Sequence, residues 1–194
     1  MITHKLVVFL ILMVSSFSFA NTEWTFDKSH SKIGFSVTHL VITDVDGQFK
    51  EYEGAVVTPG EGFENAKIEF TANIASVDTE NEKRDNHLKS DDFFNAEKYP
   101  KMTFVSKSFE KIDDKNYKLV GDLNIRDVTK EVVLDVVYNG TVKDPWGNTK
   151  AGFSLEGEIN RFDFNLKWDA AIETGGLVVG EDVKIIAKLQ LVKQ

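Results

Sequence analysis

The sequence predicts an all-β protein, a single antiparallel β-barrel of about eight strands with a short helical lid segment. Within residues 66–74, apolar and polar residues alternate strictly, as in a strand with one buried and one solvated face. Similar rows recur along the chain, separated by stretches rich in Gly, Asn, Asp and Pro that are typical of turns. No linker divides the chain, and closure into a barrel hides the edges of a sheet.

Further rows extend this pattern along the chain, with less strict alternation. Trp24 and Phe26 make a short first strand, and residues 45–57 are interpreted as a strand pair. The remaining rows predict strands at residues 33–37, 102–104, 117–125, 132–138, 153–159 and 183–191.

The inward faces of these strands mix large side chains such as Phe70 with small residues such as Gly121 and Ala187. Eight strands enclose space for packed side chains or for one ligand. Two interpretations are open: the small residues leave a tunnel for a long apolar ligand, or small and large residues alternate to fit the taper of the barrel. The residues predicted to line a tunnel are Phe35, Phe49, Phe70, Ile74, Phe104, Phe153, Leu155 and Phe164.

Residues 78–100 break the alternation with a polar, partly helical stretch. Thr79 and Glu82 have the spacing of a capping box, which predicts a helix start at Thr79. A long insertion between strands is typical of a lid or binding loop. The other interpretation is a plug that closes one end of the barrel. The two interpretations are compatible with each other. The candidate ligand-binding residues of this segment are Arg84, His87, Leu88, Lys89, Phe93 and Phe94.

The first 20 residues are typical of a signal peptide. Lys5 precedes an apolar run over residues 6–14, and Ser18 and Ala20 have the spacing that a signal peptidase reads. We expect cleavage after Ala20, so that the exported domain spans residues 21–194. The alternative is an uncleaved anchor, but the run is shorter than the ~20 residues of a membrane span. A soluble, exported protein that does not span a membrane is therefore expected.

Charge and composition exclude several function classes. The chain has 23 Lys and Arg against 31 Asp and Glu, a net charge of −8, which argues against nucleic acid as a partner. The chain has no cysteine, which excludes a disulfide, a thiolate metal site and a cysteine nucleophile.

The polar residues do not form a recognisable catalytic or metal-binding motif. His30, His39 and His87 lie in separate segments without metal-ligand spacing, so no metal is predicted. Ser29 and Ser31 flank His30, but the sequence has no G-x-S-x-G elbow. We predict a binding protein without catalytic residues or cofactor, and keep as the alternative a lipid-modifying hydrolase whose triad comes from remote residues.

The chain has three arginines, and each lies within two residues of an aspartate in the sequence. One interpretation is that Arg84, Arg126 and Arg161 form structural ion pairs with these neighbours. The other is that Arg84, with His87 and Lys89, contacts the polar or phosphorylated head of a ligand, because the planar guanidinium binds phosphate through two hydrogen bonds.

Several sequence blocks resemble the YceI-like family. They are W-T-F-D at 24–27, F-S-V-T-H-L at 35–40, R-D-N-H-L-K-S-D-D-F-F at 84–94, G-D-L-N-I at 121–125 and I-N-R-F-D-F at 159–164. The blocks occur in the family's order over nearly all of residues 21–194. Arg126-Asp127 stands where many members have a pair of small residues, and Asn165 where glycine is common.

This resemblance implies a lipocalin-like fold, an elongated barrel with a long apolar tunnel. It also implies a periplasmic protein, often a homodimer, that carries an isoprenoid-tailed or fatty-acid-like amphiphile. The family has no established catalytic residues, which agrees with the expectation of binding without chemistry.

Overall fold

The structure is a computed structural model that describes residues 21–171 and 175–194. The predicted signal peptide, residues 1–20, lies outside the described residues. Within these residues the chain forms one α-helix and eleven β-strands. Their bounds are β1 Thr22–Phe26, β2 Lys32–His39, β3 Thr43–Phe49, β4 Tyr52–Thr58, β5 Lys67–Asn73, β6 Val77–Asp78, α1 Glu82–Lys89, β7 Lys101–Lys111, β8 Asn116–Ile125, β9 Val128–Lys143, β10 Thr149–Asn160 and β11 Val179–Lys193.

The strands close into an antiparallel barrel of eight long segments. Pairing runs β4-β5-β7-β8-β9-β10-β11-β2-β3, and β1 bridges β4 and β11 to complete the circle. β1 and β2 both pair with β11, β3 pairs with β2, and β4 pairs with β1, so these four strands form two bent segments. The prediction of an all-β barrel of about eight strands with one short helix is confirmed.

Burial follows the alternation read from the sequence. On β5, Lys67 and Glu69 are exposed, whereas Ala72 is fully buried. On β8, Leu119, Gly121 and Leu123 are buried on one face, and Val120 and Asp122 between them are partly exposed. The period of two therefore gives each strand one face toward the interior.

The predicted strand pair over residues 45–57 is instead one bent segment, because β3 and β4 do not pair with each other. The bend falls at Lys50 and Glu51. Their backbone N–H groups donate to the carbonyl and the hydroxyl of Ser76, and Glu51 accepts from the N–H of Asn73. These bonds replace the pairing that the chain gives up at the bend.

Aromatic side chains fill one end of the barrel, which we call the lower end. The loop between β4 and β5 places Phe63 inside the barrel. Its ring centroid lies 4.9 Å from that of Trp24, 4.8 Å from Phe153 and 5.7 Å from Tyr138. Aromatic rings bury large areas and favour such tilted contacts, so this cluster closes the lower end.

Residues 79–100 cover the opposite, upper end of the barrel. The helix within them begins after Asn81, whose side chain accepts from the N–H of Arg84. The prediction that Thr79 caps this helix is wrong, because the Thr79 hydroxyl donates instead to the carboxylate of Asp85. Phe93 and Phe94 follow the helix and are buried beneath it.

None of the helices in the described part of the chain is both long enough and apolar enough to cross a membrane.

Candidate functional site

An apolar cavity of about 180 Å³ lies inside the barrel. Its wall is formed by the inward rows of most strands, and side chains of residues 79–100 cover its upper side. Of the residues that the structure describes on this wall, only Arg161 is charged. Such a space favours a hydrocarbon ligand, because transfer from water stabilises the bound state by about 0.8 kcal/mol per buried CH₂.

The structure separates the predicted tunnel residues into two groups. Five of them line the cavity, and the other three are buried in the core away from its wall. Phe153 belongs to the aromatic cluster of the lower end. The cavity-lining residues are Phe35, Phe49, Phe70, Phe104 and Leu155, and those in the core elsewhere are Ile74, Phe153 and Phe164.

Much of the cavity wall comes from residues whose alternation predicts strands but that are not among the predicted tunnel residues. Met102, Leu123, Val132 and Ile185 are among them. The alternation predicts which face of each strand points inward. It does not predict which positions along that face line a cavity and which are packed against other side chains.

Glycines at inward positions leave room for large side chains of neighbouring strands. A methyl group at Gly121 would overlap the ring of Phe104, and one at Gly47 would overlap the ring of Phe35. At these positions the alternation of small and large residues therefore serves packing. The cavity exists alongside this packing, so the two sequence interpretations apply to different parts of the same interior.

A second cavity, of about 450 Å³, lies at the upper end and shares wall residues with the inner one. We call it the outer cavity. Phe35, Leu88 and Phe93 line both spaces. The outer wall also includes the basic side chains of Lys83 and Arg84. The two cavities together offer an apolar interior below a partly polar entrance.

The six predicted lid residues also separate by position. Phe94 lines the inner cavity, His87 and Arg84 line the outer one, and Lys89 lines neither. Nε2 of His87 lies 2.8 Å from the carboxylate of Asp92. Leu88 and Phe93 form the boundary between the two spaces.

Arg84 is held in place by Thr79. Its Nε donates to the Thr79 hydroxyl over 2.7 Å, and its Nη2 to the Thr79 carbonyl over 2.6 Å. Asp85, the adjacent acid in the sequence, accepts from the N–H and the hydroxyl of Thr79 instead. The predicted ion pair between Arg84 and its neighbour is therefore wrong, and Thr79 links the two.

Arg126 connects the barrel to the segment that covers it. From the β8–β9 turn, its Nη1 donates to the carbonyls of Phe93 and Asn165, and its Nη2 lies 2.9 Å from the carboxylate of Asp91. Its predicted pairing with Asp127 is wrong. Arg126, Asp127 and Asn165 all have positive φ, between 51° and 60°. These are the positions at which the sequence departs from the small residues expected from its resemblance.

Arg161 is buried, with 2% of its surface exposed, and has no carboxylate within 4 Å among the described residues. Its guanidinium donates to the carbonyls of Leu166, Trp168, Val179 and Gly180. Burial lowers the pKa of this guanidinium. The expected pair with the nearby aspartate is wrong, because backbone carbonyls solvate the charge.

Candidate catalytic groups near His30 do not form a nucleophile–base pair. Nδ1 of His30 lies 3.0 Å from Asp27, but the Ser31 hydroxyl donates to the carbonyl of Gln190. Over the described ranges 21–171 and 175–194, no group of three or more His, Asp or Glu side chains is arranged to hold a metal ion.

Comparisons with known proteins agree with this architecture. A UPF0312 protein of Staphylococcus aureus strain MSSA476 is 39% identical over 170 residues, covering 87% of this chain and 96% of that protein. The crystal structure of the Campylobacter jejuni YCEI protein is similar with a TM-score of 0.68 and 38% identity, covering 88% of this chain and 97% of that chain.

A polyisoprenoid binding domain from Saccharophagus degradans shares the fold, with a TM-score of 0.63 and 16% identity over 88% of this chain and 98% of that chain. A family model described as the YceI-like domain matches residues 24–191. With this match over most of its length, the chain belongs to the YceI-like family.

Proposed function

We propose that this protein binds a long-chain amphiphile, isoprenoid-tailed or fatty-acid-like, and carries it without chemical change. The observation that carries the proposal is the apolar cavity inside the barrel, with a partly basic space above it. The description of the Saccharophagus degradans neighbour as a polyisoprenoid binding domain supports the isoprenoid class.

The sizes of the two spaces suggest how the ligand lies. The inner cavity of about 180 Å³ is close to the ~150 Å³ of an engineered cavity that takes up benzene. A long tail must therefore continue into the outer cavity or displace aromatic rings such as those of Phe35 and Phe93. In this arrangement the tail fills the interior, and the polar head emerges beside Lys83, Arg84 and His87.

We further propose that the protein acts after export to the periplasm, with residues 1–20 removed and the exported chain beginning at Asn21. The basis is the signal-peptide pattern at the N-terminus. A homodimer is proposed on the family resemblance alone. N-terminal sequencing of the protein from its own host checks the first point, and sedimentation checks the second.

Filling the cavity tests the binding site. Ala187 is buried on the cavity wall, and Lys188 beside it on β11 is exposed. We expect Ala187→Phe to reduce binding of a dansyl-labelled fatty acid at least tenfold, because a ring would occupy the space of the tail. The matched control, Lys188→Phe, places the same ring outside the barrel and should bind as wild type.

Two experimental outcomes would contradict the proposal. Equal binding by a folded Ala187→Phe protein and by wild type would place the ligand outside the cavity. Mass spectrometry of lipid extracted after incubation tests the absence of chemistry, and a changed lipid mass that requires the folded protein would favour an enzyme.

A further inference from the structure

The turn between β2 and β3 combines three apolar residues with an unfavourable backbone. Leu40 and Val41 have φ of 53° and 64°, and the N–H of Ile42 donates to the carbonyl of His39. This is the pattern of a type I′ turn, which strongly prefers Asn-Gly. A β-branched residue such as Val41 rarely adopts positive φ, so local preference does not explain these residues.

The same three residues point into solvent. Leu40, Val41 and Ile42 are 36%, 63% and 84% exposed, and they are consecutive. Single exposed apolar residues are common, but a run of them on a hairpin tip marks an interaction surface. We call residues 40–42 the apolar tip. Strain and exposure at one place point to a function outside folding.

The apolar tip lies at the rim of the outer cavity. The N–H of Leu40 donates to the carbonyl of Val178 over 2.9 Å, and both His39 and Val178 line the outer cavity. Lys83 and Arg84 line the same cavity. The tip therefore projects beside the entrance through which a ligand would reach the interior.

We infer that the apolar tip inserts into the surface of a lipid bilayer and brings the entrance of the barrel to the membrane for ligand exchange. This inference rests on the proposed function, since a long-chain amphiphile resides in membranes. Three side chains on one narrow turn cover far less than the ~800 Å² that each partner buries in a stable protein interface. They suit shallow insertion between lipid head groups.

Charges near the tip favour a zwitterionic membrane surface. Lys83 and Arg84 at the entrance can meet lipid phosphates, whereas the exposed Asp44 and Asp46 on β3 oppose a strongly anionic surface. The net charge of −8 acts in the same direction. Phosphatidylcholine vesicles are therefore the probe.

The triple variant Leu40→Asn, Val41→Gly and Ile42→Ser tests the inference without endangering the fold. Asn-Gly is the sequence that this turn prefers, so thermal stability should rise or stay unchanged. Partitioning onto phosphatidylcholine vesicles should fall about tenfold, and transfer of a dansyl-labelled fatty acid from vesicles should slow. Binding of the same fatty acid from solution should not change.

The control variant removes apolar surface at the lower end. Val142 and Trp146, near the β9–β10 turn, are 66% and 83% exposed. The variant with Val142→Asn and Trp146→Ser should partition onto vesicles as wild type does. An equal loss of vesicle binding in both variants would indicate nonspecific hydrophobic adsorption and overturn the inference.

Other outcomes also decide the matter. No vesicle binding by wild type, or full binding by the triple variant, overturns the inference. A triple variant that becomes monomeric while a dimeric wild type ignores vesicles would assign the tip to a second copy of the chain. Failure of the proposed function looks different, because wild type would then bind no fatty acid from solution.

Discussion

At the scale of single residues, Arg161 is a charged group buried inside the barrel, and hydrogen bonds replace the water it loses. A buried charge is tolerated when hydrogen bonds replace its water. Four backbone carbonyls do this for Arg161: those of Leu166 and Trp168, which follow β10 in the chain, and those of Val179 and Gly180 at the start of β11. The side chain therefore ties the residues just after β10 to the first residues of β11.

We predict that Arg161→Met lowers the free energy of unfolding by about 3–5 kcal/mol, because it leaves buried carbonyls without donors. Arg161→Lys should cost less, since an ammonium can still donate to up to three of them. Urea denaturation monitored by tryptophan fluorescence measures both. A Met variant within about 1 kcal/mol of wild type, a cost typical of an ordinary substitution, would show that the carbonyls find other partners.

The arginines also show where residue-level prediction from sequence fails. All three lie beside an aspartate in the sequence, yet none pairs with it: Arg84 binds Thr79, Arg126 binds Asp91 and Arg161 binds carbonyls. Side chains of neighbouring residues diverge, particularly at turns. Partners from distant segments are fixed by the closed barrel, which no local spacing encodes.

At the scale of elements, strand rows were predictable and breaks within strands were not. The alternation of residues 66–74 identified β5 and its buried face. The bend between β3 and β4 depends on Ser76, more than 20 residues away. Phe63 lies in a turn-forming stretch, so its role in closing the lower end had no periodic signal.

A similar bend between β1 and β2 is held by Asp27. Its carboxylate accepts from Lys150 over 3.0 Å, from Gln190 over 2.8 Å and from Nδ1 of His30. Partial burial alone would raise the pKa of Asp27, but these hydrogen bonds outweigh it and lower the pKa to about 2. The carboxylate thus ties the bend to β10 and β11.

Acid should weaken this contact. Because the pKa of Asp27 is lower in the folded than in the unfolded chain, its contribution is complete above pH 4 and is lost as the pH falls toward 2. The contribution is about 2 kcal/mol. We expect the Asp27→Asn variant to have a lower free energy of unfolding than wild type at pH 7. Between pH 4 and pH 2, its free energy of unfolding should fall less than that of wild type. The Asp182→Asn variant, which also loses one negative charge, is the control. Equal acid sensitivity in wild type and Asp27→Asn would contradict the prediction.

At the scale of the whole molecule, the barrel and the segment over its upper end form one container. Leu88, Phe93 and Phe94 close the inner cavity from above. Any ligand that reaches the interior from the outer cavity must pass between these side chains and the barrel. The hydrogen bonds that fasten this segment should therefore set the rate of exchange.

Arg126 forms hydrogen bonds to this segment, and its side chain lines neither cavity. Its removal therefore leaves both cavity walls intact. We predict that Arg126→Ala raises both the uptake and the release rates of a dansyl-labelled fatty acid about tenfold, because loss of a charged hydrogen bond of about 1.5–3 kcal/mol frees the segment around Phe93. The equilibrium affinity should change much less, since the cavity is intact. Stopped-flow fluorescence measures the rates, with the exposed Lys130→Ala as the control for charge on the same hairpin. Unchanged uptake and release rates in a folded Arg126→Ala protein would mean that the ligand enters elsewhere. If the variant instead lost ligand affinity and free energy of unfolding by similar amounts, Arg126 would have a purely structural role.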